Sequence, residues 1–121
     1  MYIQFAELPV TNQDRAKAFD VEHLGCEIAA DQPMGKQEWR WIELRFPNAE
    51  TTLHFLPRKD EKPSAGPALV LVDDHVEGII ARLRSKRVEI ITDPQPAPWR
   101  PGLTIAEFRD SEGNRIVVSS R

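Results

Sequence analysis

The 121-residue chain is long enough for one domain that buries about two-thirds of its unfolded surface, so neither disulfides nor a structural metal is needed to hold it together. Apolar residues at 40% and charged residues at 29% are ordinary for a globular domain, and no apolar run approaches the ~20 residues of a membrane span. Sixteen Lys and Arg against nineteen Asp and Glu give a net charge of −3 without a basic stripe, which argues against nucleic acid and membrane surfaces as partners.

In chain order, "YIQFAELPV" reads as a first strand, with neither the charged start nor the cleavable apolar core of a secretion signal, so a cytoplasmic location is expected. "TNQD" then offers Thr11 or Asn12 as a helix N-cap, with Asp14 favouring the positive helix terminus. "RAKAFDVEHLG" predicts a short helix with Ala16, Phe19 and Leu24 on its apolar side and Gly25 in the left-handed position after it. Cys26, the single cysteine, admits no internal disulfide and no multi-thiolate zinc site, and is expected to be a packed free thiol. Strands are predicted over 26–31, 38–46 and 51–56, the last two joined by a turn at Pro47 and Asn48.

After the charged, Pro- and Gly-punctuated "PRKDEKPSAGP" the same order begins again. "ALVLV" predicts a strand, Asp74 with Glu77 suggests a capping box, and Val76, Ile79, Ile80 and Leu83 fall at the spacing of one buried helical face. Strands over 88–93, 103–109 and 115–119 complete the copy. At a shift of 62 positions Val10, Glu27, Ile28 and Asp31 meet Val72, Glu89, Ile90 and Asp93, and at 64 "ELR" (43–45) meets "EFR" (107–109). The recurrence of β-α-β-β-β predicts a duplicated fold: module one over 1–57, a linker over 58–66 and module two over 67–121.

The segments "AFDVEHLGCEIAAD", "VLVDDHVEGIIARLRSKRVEIITDPQPAPW" and "FRDSEGNRIVV", which together cover nearly the whole chain, resemble the vicinal oxygen chelate superfamily of glyoxalase I, extradiol dioxygenases and bleomycin-resistance proteins. The resemblance implies an α+β fold of two βαβββ modules whose sheets curl around a shared cleft, commonly in a homodimer. It also implies a divalent metal held from the first and fourth strands of each module. The matching positions are Phe5, His54, Pro67 and Val117, three of which carry no ligating group, so neither a metal nor another cofactor is expected.

Alternation along strands places side chains two apart on one face. If Phe5, His54, Pro67 and Val117 face inward, so do Glu7, Leu56, Leu69, Leu71 and Ser119, together with Trp39, Trp41, Glu43, Ile105 and Glu107; Trp99 lies in a loop that borders the pocket in the resembled family. Phe5, Glu7, Trp39, Trp41, Glu43, His54, Leu69, Trp99, Ile105, Glu107 and Val117 are therefore the candidate ligand-binding set, and aromatic faces beside carboxylates suit a cationic aromatic molecule such as an antibiotic. Simpler assignments stand beside these. His54 could be a hydrogen-bonded strand histidine, Trp39 and Trp41 could serve a dimer interface, and Glu43 with Arg45 or Glu107 with Arg109 could be exposed ion pairs. His23 and His75, near helix ends, are expected to be solvated. The function expected first is sequestration of a small organic ligand without a metal. The alternatives are a superfamily enzyme, either a metal-dependent lyase or dioxygenase or a metal-free isomerase using His54 with Glu43, Glu107 or Glu7, and a protein whose dimer face is its working surface.

Overall fold

The computed structural model describes residues 1–121, which divide into two compact units, Met1–Lys62 and Pro63–Arg121. Each is a βαβββ module. The first contains β1 (Phe5–Val10), α1 (Gln13–Leu24), β2 (Glu27–Gln32), β3 (Trp41–Arg45) and β4 (Thr52–Pro57), its sheet ordered β1-β4-β3-β2. The second contains β5 (Pro67–Val72), α2 (Val76–Ser85), β6 (Ile90–Pro96), β7 (Thr104–Arg109) and β8 (Arg115–Ser119), ordered β5-β8-β7-β6. In both, the first strand runs parallel to the fourth and the others pair antiparallel. No helix is long and apolar enough to cross a membrane.

The first core lies on the helix side of its sheet, where Leu8, Val10, Ile42, Leu44, Leu53 and Phe55 are all buried. The helix starts at Asn12, whose side chain accepts the Arg15 N–H at 3.0 Å, and ends at Gly25, whose φ of 73° needs the freedom of glycine. Its inward face differs from the expected one. Ala16 and Asp20, four residues apart, are buried, while Phe19 and Leu24 are half-buried; Phe19 instead lies 4.7 Å from the His23 ring, so His23 is not fully solvated. Cys26 is a buried free thiol. Burial, reinforced by the Asp20 charge, pushes its pKa up to about 12.

In the second unit Val76, Ile80 and Leu83 form the buried face of α2, with Ile79 half-buried beside them. The expected capping box is not formed: the helix begins after His75 without a side-chain cap, and Asp74 accepts the backbone N–H of Arg121 at 3.0 Å. Asp73 accepts the His75 N–H at 2.8 Å. The turn between β7 and β8 is held by Asp110, whose Oδ1 accepts the N–H groups of Glu112 and Asn114 at 2.9 and 2.8 Å, with Gly113 at φ 77°.

A register shift between Pro67 and Leu69 in β5 overturns part of the expected inward face. Leu69 pairs with Ile116 and Leu71 with Val118, which puts both leucines on the helix side, while Val70 and Val72 pair with Val117 and Ser119. Val70 and Val72 are correspondingly 61% and 58% exposed. The irregularity adjoins a proline, which has no N–H to give to the ladder, and the one extra residue that β5 carries there turns every later side chain over.

Candidate functional site

On the face of the first sheet opposite the helix side, strand register sets three polar side chains in a row. Glu7 of β1 and Glu43 of β3 both pair directly with His54 of β4. Leu53 and Phe55, on either side of His54, point into the core, so alternation fixes the imidazole outward. His54 Nδ1 lies 3.5 Å from Glu7 Oε2, and the two side chains are 14% and 49% exposed.

Aromatic rings close around the imidazole. The Trp41 indole sits over it with centroids 4.1 Å apart and planes 33° from parallel. Phe5 meets Trp41 edge-on at 5.7 Å and the His54 ring at 5.8 Å. The indole Nε1–H donates to Glu43 Oε1 at 2.7 Å, and the Thr52 hydroxyl is shared between the Gln4 carbonyl at 3.3 Å and Glu43 Oε2 at 3.4 Å. Glu43 is thus oriented chiefly by the indole N–H, with the shared Thr52 hydroxyl as a weaker second contact, whereas Glu7 keeps much of its carboxylate in water. The arrangement offers a cluster of mutually tilted aromatic rings, with the indole outermost over the imidazole, between two carboxylates, one tethered and one accessible.

Five of the sequence-predicted residues, Phe5, Glu7, Trp41, Glu43 and His54, therefore share this one face. Trp39 precedes β3 and is half-buried. Glu43 engages Trp41 and Thr52 and not Arg45, which is exposed. Thr52 was not among the candidates, although its position two residues before His54 gives it the same face.

Within the second unit, Ile105, Glu107 and Val117 share the face that also carries Val70, and all three are buried. Leu69 lies on the opposite face, and Trp99 stands in a turn after β6, 63% exposed. Glu107 does not pair with Arg109. It accepts from Arg115 Nη2 at 2.6 Å and from the Thr92 hydroxyl at 2.7 Å. Burial is the largest single influence and would raise its pKa, but these two bonds together with the Arg115 charge outweigh it and lower the carboxyl below its ordinary value. A carboxylate already neutralised in this way is poorly placed to act as a base or to attract a cation. Arg109 reaches Glu89 at 3.4 Å instead. Arg115 shares a face with Val117 by the same two-residue rule that would have revealed Thr52.

Nowhere do three or more His, Cys, Asp or Glu side chains stand where they could hold a metal ion together. Of the positions that the resemblance aligned with metal ligands, Phe5, Pro67 and Val117 have no side-chain lone pair to donate.

Residues 2–118 match the family model described as Glyoxalase/Bleomycin resistance protein/Dioxygenase superfamily. The uncharacterised Bacillus subtilis (strain 168) protein YetH is 33% identical over 111 residues, 90% of this chain and 89% of its own. TnmS3, an antibiotic binding protein from Streptomyces sp. CB03234, superposes with a TM-score of 0.81 at 30% identity, covering 99% of this chain and 95% of its own. Glyoxalase I from Zea mays superposes equally well, with a TM-score of 0.81, but at 18% identity over 98% of this chain and 44% of its own, a likeness of fold alone.

Proposed function

The chain belongs to the Glyoxalase/Bleomycin resistance protein/Dioxygenase superfamily, and from that premise we propose that it binds a small cationic aromatic molecule, of the kind an antibiotic presents, and sequesters it without a metal. The observation that carries this reading is the platform of Phe5, Trp41 and His54 flanked by Glu7 and Glu43. A planar cation laid on such rings gains cation–π and stacking attraction, and Glu7 supplies charge complementarity from the rim. The likeness to an antibiotic binding protein over nearly the full length of both chains supports the same assignment.

The metal chemistry common in the superfamily does not fit these residues. A divalent ion needs three or four N or O donors, and one imidazole beside a single accessible carboxylate, with the second carboxylate committed to Trp41 and Thr52, falls short of that set.

The Glu7–His54 pair favours one second reading, a metal-free proton transfer in which Glu7 orients the imidazole as general base. Thermal shift against a panel of cationic aromatic compounds, with metal analysis of the same preparation, tests the first reading. A ligand at ~100 times its Kd stabilises the fold by about 2.7 kcal/mol. A stoichiometric, tightly held divalent metal, or melting that no cationic aromatic compound moves, would overturn sequestration. Turnover of a bound compound that is lost in His54→Ala would favour the second reading.

A further inference from the structure

The indole that forms the top of the platform is not placed by its own strand alone. Arg40 sits between Trp39 and Trp41, just before β3, and its backbone is gripped from the other side by the side chain of Gln13 in the first turn of α1. Gln13 Nε2 donates to the Arg40 carbonyl at 2.7 Å, and Gln13 Oε1 accepts the Arg40 N–H at 2.9 Å. A side-chain amide thereby imitates a neighbouring strand where the sheet has none, and it does so buried, at 8% exposure. The Arg40 side chain continues the grip: Nε donates to Asp31 Oδ1 at 2.9 Å and Nη2 to Asp14 Oδ1 at 2.7 Å, while Lys17 Nζ reaches Asp31 Oδ2 at 2.8 Å.

We propose that Gln13 is a positioning residue for the ligand platform, its two-point grip on the Arg40 backbone fixing the direction in which Trp41 leaves β3 and so holding the indole over His54. This rests on the ligand-binding reading above for its purpose but not for its geometry. With Arg40 turned toward the helix, the flanking Trp41 is committed to the opposite face, where its Nε1–H meets Glu43. Without the grip the Arg40 backbone loses both of these hydrogen bonds, and the half-buried indole, still paired through its backbone with Gln32 and bonded to Glu43, is held less firmly over His54 and gains fast local motion.

The test uses the full chain with Trp39→Phe and Trp99→Phe, which leaves Trp41 as the sole tryptophan, and compares it with the same chain carrying Gln13→Leu. Gln13→Glu, which keeps the acceptor half of the grip, serves where the leucine variant does not fold. Time-resolved fluorescence anisotropy well below the melting temperature is expected to show a fast local component in the Gln13 variant that the parent lacks, and ethidium, a planar aromatic cation, is expected to bind roughly tenfold more weakly. A variant that melts cooperatively yet keeps the parent's anisotropy decay overturns the positioning role. If the parent fails to bind ethidium while the fast component still appears, the ligand reading falls and the grip on Trp41 stands.

Discussion

The roles proposed for His54, Trp41 and Glu7 in the platform can be separated by single substitutions. Trp41→Leu removes the ring over the imidazole and the chief donor to Glu43, so binding of a cationic aromatic probe such as ethidium is expected to weaken about tenfold in a fluorescence titration. Glu7→Gln keeps the shape and removes the accessible charge. Because that carboxylate is half exposed, the expected loss is only about threefold, and it is expected to vanish in 1 M salt, where the Debye length is about 3 Å. Equal losses at low and high salt would show that Glu7 acts by shape alone. Cys26 gives a control away from the site. A buried thiol with its pKa near 12 stays protonated at neutral pH, so Ellman's reagent is expected to leave the native protein unlabelled and to titrate one thiol after denaturation.

At the scale of elements, β1 and β5 occupy corresponding places in the two modules but turn opposite residues to the core. Leu8 is 1% exposed, whereas Val70, its counterpart at a shift of 62, is 61% exposed. Leu8→Ala is therefore expected to cost about 2–4 kcal/mol in urea unfolding, and Val70→Thr to stay within about 0.5 kcal/mol. The duplicated element order and the helix-one caps were legible in the sequence, because strand alternation and the Asn12 and Gly25 signals are local. The same alternation found Phe5, Glu7, Trp41, Glu43 and His54, since β1, β3 and β4 pair without a shift. It failed for Leu69 because a shift beside Pro67 depends on how the strand meets its neighbour, which no single-strand pattern carries. The pairing of Glu107 with Arg115, and the grip of Gln13 on Arg40, join residues on different strands or across 27 positions of chain, and so were equally out of reach. Loss of the Asn12 cap in Asn12→Ala is expected to remove ~1 kcal/mol of stability, against almost nothing for the uncapped start of α2 in His75→Ala.

Across the whole molecule, acid stability is set by carboxylates that folding moves in opposite directions. In the first unit, hydrogen bonds from Arg40 and Lys17 hold the Asp31 pKa at about 2, below its ordinary 3.8. The folded chain therefore binds that proton less readily than the unfolded chain, so the contribution of Asp31 is complete above about pH 4 and is lost as pH falls toward 2. Glu107 in the second unit has the same sign. Asp110 has the opposite one, since burial raises its pKa against the hydrogen bonds from Asn114 and Glu112, and protonation on acidification favours the folded form. Asp14, beside Arg40, and Asp73, beside His75, are lowered as well, so four lowered carboxylates against one raised give a net loss of stability in acid. Because Asp31 is about a quarter exposed, we discount its share to about 1–2 kcal/mol. Asp31→Asn is expected to be less stable than the parent by that amount at pH 7 and to converge with it near pH 2, as urea midpoints taken across this range would show. A constant gap between the two proteins from pH 7 to pH 2 would mean that Asp31 stabilises the Arg40 network through packing and not through its charge.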